Sequence, residues 1–174
     1  DSVNTIGGSI FSGCTKLKNV TLPTNLTSLS GNMFTNCTSL KTITLPRTIT
    51  EIKEYAFYGC TSLEEITLPS GVTTIRNQAF NNCVKLKEII IPLSTTIMED
   101  NIFFNCTNLT IYCEAEEQPS TWNEDWNYSN CPVVWGYKVH DIGEWIIDTE
   151  KGYKYKQCSI CDGICEFSEY IKFN

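Results

Sequence analysis

Residues 52–75 are IKEYAFYGCTSLEEITLPSGVTTI, and this stretch decides the fold because its pattern recurs along the chain every 23 residues. Three residue types repeat at that interval without drift. They are phenylalanine (Phe11, Phe34, Phe57, Phe80, Phe103), cysteine (Cys14, Cys37, Cys60, Cys83, Cys106) and leucine (Leu17, Leu40, Leu63, Leu86, Leu109). A fixed period of about 20 to 50 residues is the sequence signature of a stacked-repeat solenoid.

The end of each repeat predicts a short strand. Ile66 and Leu68 fall on one face and Thr67 on the other, which is the alternation of a strand with one buried side. Pro69 ends the strand because proline has no amide hydrogen to donate to a sheet ladder. Prolines take the same place in three other repeats, at Pro23, Pro46 and Pro92.

The remainder of the repeat predicts two further short elements. The stretch around Ala56 and Phe57 is too short for an α-helix, so we expect a single helical or 3₁₀ turn. A second, weaker row of extended segments is expected near Val72 and Ile75. One repeat cannot bury its own apolar face, whereas stacked repeats form a continuous core. The expected fold class is therefore a β-rich α/β solenoid with a parallel sheet.

Composition divides the chain into three predicted regions. Residues 1–113 carry the repeats, the last of which is imperfect. Residues 114–136 are acidic and rich in tryptophan, and we expect them to cap the solenoid. Residues 137–174 lack the period and form a small cysteine-containing appendage. The sequence begins inside a repeat without an initiator methionine, so we expect it to be a fragment or mature portion of a longer protein.

The predicted cap contains helix and strand signals. Ser120 or Thr121 could cap a short helix, with Glu124 completing a capping box after Thr121. Trp122 and Trp126 would then share one helix face, and residues 131–136, which include Trp135, predict a closing strand. Cys113 and Cys131 could form a disulfide across the cap or remain free.

The pattern A-F-x-x-C followed by L-x-x-I-x-L-P resembles the BspA-like leucine-rich repeats of bacterial surface proteins and some parasitic protists. The resemblance covers roughly residues 1–136. It implies a curved, right-handed leucine-rich-repeat solenoid with a C-terminal cap, located outside the cell or at its surface. It also implies adhesion to host proteins and other microbes. Members of the family are not enzymes as a rule.

The column cysteines invite a metal-binding or reactive interpretation, but a structural one is favoured. Leucine-rich repeats place a small residue at the turn entering each strand, and a free cysteine behaves as a small buried hydrophobe. Five thiols, one in each layer, lack the convergent geometry of a tetrahedral metal site. We therefore expect these cysteines to be reduced and to form a structural core with the phenylalanine column.

The appendage contains the one candidate metal site. Cys158, Cys161 and Cys165 together with His140 would make a Cys3His set, which can hold structural zinc. A Cys158–Cys161 or Cys161–Cys165 disulfide and plain free thiols are the alternatives, because the second C-x2-C pair of a zinc ribbon is absent. No other cofactor is expected.

Several function classes are disfavoured by composition. The net charge of −7 opposes nucleic-acid binding, and no apolar run approaches the roughly 18–20 residues that a bilayer span requires. The single histidine lies outside the repeats, so no Ser-His-Asp or Cys-His constellation is expected there. The tryptophans and carboxylates of residues 114–136 could suggest a glycosidase, but covering an open core end explains the tryptophans better. We expect no catalytic residues.

The candidate site is the outward face of the strands. Its central row runs Thr21, Thr44, Thr67, Ile90 and Tyr112, flanked by Glu65 and Glu88. Threonine suits any solvated strand, so the plainest interpretation is an ordinary exposed sheet. Clustered apolar residues are more informative, and Ile90 with Tyr112 are the best recognition candidates. We expect a noncatalytic, adhesin-like surface or secreted module that binds a protein or glycan; the alternative is a structural spacer displaying another domain.

Overall fold

The computed structural model describes residues 3–138, together with the backbone of three strands between residues 142 and 167. The chain forms two compact units, Asp1–Tyr137 and Lys138–Asn174. The first unit is a solenoid of about five stacked coils with parallel strands, which confirms the predicted fold class.

One row of strands runs up one side of the solenoid, and we call it the minor sheet. Its strands are β1 (Ser28–Leu29), β3 (Glu51–Ile52), β5 (Thr74–Ile75) and β7 (Ile97–Met98), in the order β1-β3-β5-β7. Each strand pairs in parallel with the one in the next coil, so that Ser28 lies opposite Glu51 and Thr74 opposite Ile97. These offsets equal the sequence period, which is why the columns of like residues stack.

The second row, the main sheet, contains the strands that precede the prolines. β2 (Thr42–Ile43) pairs with β4 (Glu65–Ile66), and β6 (Glu88–Ile91), β8 (Thr110–Cys113) and β9 (Val133–Val134) follow in the order β6-β8-β9. All of these pairs are parallel. The ladder is interrupted between β4 and β6, where the amide of Lys87 lies 3.5 Å from the carbonyl oxygen of Glu64.

Consecutive β-turns occupy the third side of each coil, and residues 3–138 contain no helix. Around Phe57 the backbone amides alternate in their partners. The Ala56 amide donates to the carbonyl three residues earlier, whereas the Phe57 amide donates across to Ala79 in the next coil at 2.8 Å. Tyr55 and Gly59 adopt left-handed φ angles of 58° and 69°, which a right-handed helix cannot continue through. Turns therefore replace the expected helical turn.

The phenylalanine column forms the centre of the core. Its rings stack in parallel, with centroids 5.3 Å apart for Phe11–Phe34 and 5.4 Å apart for Phe34–Phe57. The next two spacings are 5.3 and 5.7 Å. Four of these rings are fully buried, and Phe11 is partly buried. Stacked rings add to the stabilisation that their buried area provides.

Four cysteines of the column are buried hydrogen-bond donors. Cys37, Cys60, Cys83 and Cys106 each direct Sγ at a phenylalanine carbonyl oxygen in the preceding coil, at 3.0–3.2 Å. Burial raises the pKa of the Cys60 thiol to about 12 and that of Cys37 to about 11. Cys14 differs from the expected buried thiol, since it is exposed in the first coil.

Residues 114–136, which we call the C-terminal segment, follow the path of one more, irregular coil. The Asn123 amide donates to Met98 at 2.8 Å, and the Asn101 amide donates to Asp125 at 3.0 Å. The segment consists of turns and β9, so the prediction of a helix after Ser120 or Thr121 is wrong. The Asp125 carbonyl, which in a helix would accept from the amide four residues later, accepts across the coils from Asn101 instead.

The two predicted tryptophans are nevertheless buried against each other. Trp122 and Trp126 have ring centroids 5.1 Å apart, and Trp126 meets Phe103 edge-on at 6.3 Å. Trp122 Nε1 donates to the Thr95 carbonyl at 3.1 Å, so its polar atom is satisfied where it is buried. Cys113 and Cys131 are both free thiols, and the disulfide considered between them is not formed.

The second unit contains a three-stranded antiparallel sheet. Its strands are β10 (Ile142–Asp148), β11 (Tyr153–Cys158) and β12 (Ile164–Phe167), in the order β10-β11-β12. Of the possible zinc ligands, His140 and Cys161 lie outside the described residues, and Cys158 and Cys165 lie in strands whose side chains are not described. The zinc site and the two alternative disulfides therefore stay predictions.

Candidate functional site: the outward face of the main sheet

Three apolar residues line up on the outward face of the main sheet. Ile90 in β6 lies opposite Tyr112 in β8, and Tyr112 lies opposite Val134 in β9. The residues on either side of Ile90 and Tyr112 are buried in the core, so strand alternation directs these two side chains outward. Ile90 and Tyr112 are half-buried and Val134 is 42% exposed. The row is thus an accessible apolar stripe across three adjacent strands.

A second tyrosine extends this stripe. The ring of Tyr137 lies 4.8 Å from that of Tyr112, tilted by 52°. The Tyr137 amide donates to the Cys113 carbonyl at 2.9 Å, which fixes its backbone beside β8. We call Ile90, Tyr112, Val134 and Tyr137 the apolar end. Gly136 precedes Tyr137 and has a left-handed φ of 67°, a conformation that glycine adopts without strain.

Sequence reasoning missed two members of the apolar end. Val134 follows Tyr112 by 22 residues, the interval that also separates Tyr112 from Ile90, so spacing alone could have found it. The sequence places Tyr137 in the appendage, whereas the structure places it in the first compact unit. No sequence signal marked it, because its contact with Tyr112 depends on the turn that Gly136 makes.

The other end of the same row is polar. Thr21, Thr44 and Thr67 are all exposed. Beside them, Lys41 Nζ lies 3.7 Å from a Glu64 carboxylate oxygen, with the lysine side chain 70% exposed. Exposed pairs of this kind contribute little to stability, typically about 0–1 kcal/mol. The face therefore changes from hydroxyl-rich to apolar along the solenoid while the inner columns stay constant.

Glu65 and Glu88 lie at equivalent positions of β4 and β6, where the main-sheet ladder is interrupted. Both are exposed, and neither forms an ion pair within the described part of the chain. A shallow groove of about 140 Å³ runs between them, lined by Glu65, Ile66, Thr67, Glu88, Ile89 and Ile90. The groove leads from the two carboxylates to the first residue of the apolar end.

The minor sheet contrasts with this face because it carries an arginine paired with two glutamates. Arg76 donates from Nε to Glu51 and from Nη1 to Glu99, each at 2.8 Å. Hydrogen bonds to Glu99 and then Glu51 raise the pKa of Arg76. The side chain thereby links three successive coils, which assigns it a stabilising role.

Within the described part of the chain, no three His, Cys, Asp or Glu side chains converge as metal ligands. The same part of the chain holds no helix with the length and apolar character needed to cross a membrane.

Short parallel strands repeated every 23 residues, around stacked phenylalanines and leucines, define the class of leucine-rich-repeat solenoids. The family model for the BspA type leucine-rich repeat region matches residues 1–110 in six copies. The chain therefore belongs to the BspA-type leucine-rich repeat family. This family and fold are typically non-enzymatic, and leucine-rich repeat proteins generally bind proteins. No curated protein matches the chain significantly.

Two solved structures are similar to this chain. A leucine-rich repeat protein of T. pallidum shares 26% identity, with a TM-score of 0.55 over 61% of this chain and 60% of that one. A leucine-rich cell surface protein of Faecalibacterium prausnitzii A2-165 shares 30% identity, with a TM-score of 0.52 over 65% of this chain and 40% of that one. The matched region spans less than two thirds of either neighbour's length.

Proposed function

We propose that this protein is a noncatalytic, adhesin-like binding module that engages a protein or glycan through the outward face of the main sheet. The observation that carries the proposal is the apolar end, where an aromatic pair, an isoleucine and a valine lie together at the surface. Tyrosine beside aliphatic residues is common anchor chemistry at protein interfaces.

The change from threonines to apolar residues along the outward face supports a role in recognition. A purely structural coil depends on its inner columns and needs only a strand-forming, solvated residue on its outward face. The threonines of the earlier coils are residues of this kind. The replacement of threonine by Ile90 and Tyr112 exposes apolar area that adds no core contact. Contiguous exposed apolar residues are more typical of interaction sites than single ones are.

We place the protein at the cell surface or outside the cell. The supports are the family and the similarity to a structure described as a leucine-rich cell surface protein. The net charge of −7 supports partners other than nucleic acid. Modest affinity at one site would suffice if many copies are displayed together, because multivalency raises avidity.

A binding screen of the intact protein against matrix proteins and glycans tests the proposal, repeated with the Ile90→Lys/Tyr112→Ala variant. Retained circular dichroism and melting temperature would show that the variant folds. We expect at least tenfold weaker binding by the variant, because both anchors are lost. Unchanged binding would place the site elsewhere, and an absence of ligands for the wild type would favour the spacer function.

A further inference from the structure

We infer that the partner presents an extended protein segment in which an arginine or lysine adjoins a large apolar residue. The basic group would lie between Glu65 and Glu88 while the apolar residue packs on Ile90 and Tyr112. This inference rests on the proposed function and specifies the chemistry of the partner at the same face.

The two carboxylates lie on neighbouring strands, and neither has an ion-pair partner among the described residues. Glu65 and Glu88 occupy equivalent positions one repeat apart, and neighbouring strands lie about 4.8 Å apart. Like charges directly opposite each other on adjacent strands are destabilising. Neither Glu65 nor Glu88 forms an ion pair with a described cation, whereas Lys41 pairs with the adjacent Glu64. A cation from a partner would therefore meet two carboxylates that form no ion pair within the described part of the chain.

The backbone hydrogen bond at the same point is long. The amide of Lys87 lies 3.5 Å from the Glu64 carbonyl, whereas the equivalent bonds, Glu64 to Lys41 and Thr110 to Lys87, are both 2.9 Å. This long bond joins β4 to β6 beside the 140 Å³ groove. A cation placed between Glu65 and Glu88 would be attracted to both carboxylates.

The apolar end fixes the rest of the partner's chemistry. Ile90 lines the groove, and Tyr112 lies opposite it on the next strand, β8. A ligand that places its cation between the carboxylates therefore places the adjoining group on an isoleucine and a tyrosine. Charge complementarity disfavours acidic glycans, since they would meet two unpaired carboxylates. An extended basic and apolar protein segment satisfies both parts of the surface.

The test uses three fluorescein-labelled synthetic peptides and the full chain, in fluorescence anisotropy titrations. The first peptide is GRVRYRVG, the second replaces each arginine with glutamate, and the third replaces each with glutamine. The protein variant is Glu65→Gln/Glu88→Gln. Its matched control is Glu117→Gln/Glu124→Gln, which changes the net charge equally at two exposed acids of the C-terminal segment.

We expect the arginine peptide to bind at least tenfold more tightly than the other two. The Glu65→Gln/Glu88→Gln variant should weaken it by about two- to fivefold for each carboxylate, and added salt should reduce that difference. The same variant should melt at a higher temperature than wild type, because the repulsion is gone; a merely damaged protein would melt lower. The control variant should keep wild-type affinity.

Three results would overturn the inference: no binding of the arginine peptide, equal binding of all three peptides, or equal weakening by both protein variants. The proposed function is judged separately, on the matrix-protein and glycan screen with Ile90→Lys/Tyr112→Ala. A neutral glycan that binds there and is lost in that variant would support the proposed function and contradict this inference.

Discussion

At the residue scale, the position shared by Thr48, Gly71 and Ser94 shows how one side chain joins neighbouring coils. Thr48 Oγ1 donates to the Leu26 carbonyl at 2.6 Å, and Ser94 Oγ donates to the Val72 carbonyl at 2.7 Å. Gly71 lies one repeat from each of them and has no hydroxyl. The column of hydroxyl groups is therefore interrupted in the middle of the solenoid.

Replacing Gly71 with serine should stabilise the protein. A Cβ at this position would meet only the Ile49 carbonyl oxygen, at 3.9 Å, and Gly71 does not have a left-handed φ. Loss of glycine flexibility in the unfolded chain adds about 0.4–1 kcal/mol, and a new hydrogen bond adds about 1 kcal/mol. Gly71→Ala is the control, since it gains only the first contribution. Urea unfolding that ranks serine no higher than alanine would contradict the expectation.

The buried thiols should be inert while the protein is folded. The pKa of Cys60 is raised to about 12 by burial, from an ordinary value of 9.0, so its thiolate fraction at pH 8 falls about a thousandfold. Iodoacetamide should therefore label exposed Cys14 rapidly and Cys60 only after unfolding in urea, as read by mass spectrometry. Equal labelling rates in the folded protein would contradict the burial of this column.

The same pKa shift predicts how stability depends on pH. Below pH 9 the Cys60 thiol is protonated in both the folded and the unfolded chain, so its full contribution to the free energy of unfolding is present. Between pH 9 and 12 the unfolded chain releases a proton that the folded chain retains, so stability falls as the pH rises. Chemical denaturation at pH 8 and pH 10.5 measures this loss, and a rise in stability over that interval would contradict the sign.

At the element scale, we propose that the C-terminal segment caps the solenoid. Trp126 covers Phe103, the last ring of the phenylalanine column, and Trp122 is anchored through Thr95. Without such cover the last core layer would be open to water. The proposal gives Trp122 and Trp126 a structural role in place of a sugar-binding one.

Truncation tests this cap directly. A chain ending at Tyr112 should aggregate or lose cooperative unfolding, because it exposes Phe103 and Ile111. A chain ending at Tyr137 is the matched control and should unfold cooperatively, since it retains the whole first unit. Thermal unfolding and size-exclusion chromatography provide the comparison. A soluble, cooperatively folded chain ending at Tyr112 would refute the cap.

The sequence predicted the repeating elements well and the irregular ones poorly, for a physical reason. Ile66, Leu68 and Pro69 specify their strand locally, and the fixed period carries that result to every coil. Residues 121–126 also have local helix signals. Their backbone instead forms hydrogen bonds across the coils, from the Asn123 amide to Met98 and from the Asn101 amide to Asp125. Tertiary hydrogen bonds overrode local propensity there.

The candidate site was predictable to the same extent. Alternation placed Ile90 and Tyr112 on the outward face, because strand alternation is a local property. The contact of Tyr137 with Tyr112 and the interrupted strand pairing beside Glu65 depend on how the coils pack on one another. Neither leaves a periodic trace in the sequence, so the full extent of the face required the structure.

At the scale of the whole first unit, repetition and variation have separate roles. The inner columns stay constant, and each coil packs only on its neighbours, which builds a stable body from one small unit. The outward face varies from coil to coil, from exposed threonines to the apolar end. A solenoid of this kind can acquire a binding site at any coil without disturbing its core.

The central claim is that a partner covers the apolar end, and hydroxyl-radical footprinting tests it most directly. The intact protein is oxidised with and without the tightest ligand from the matrix-protein and glycan screen, and each side chain is read by mass spectrometry. Phe104 and Tyr128, an exposed pair with ring centroids 6.0 Å apart elsewhere on the coils, serve as internal controls. We predict that the ligand protects Ile90, Tyr112 and Tyr137 while Phe104 and Tyr128 remain oxidised. Protection of Phe104 and Tyr128 with Tyr112 unprotected would contradict the account.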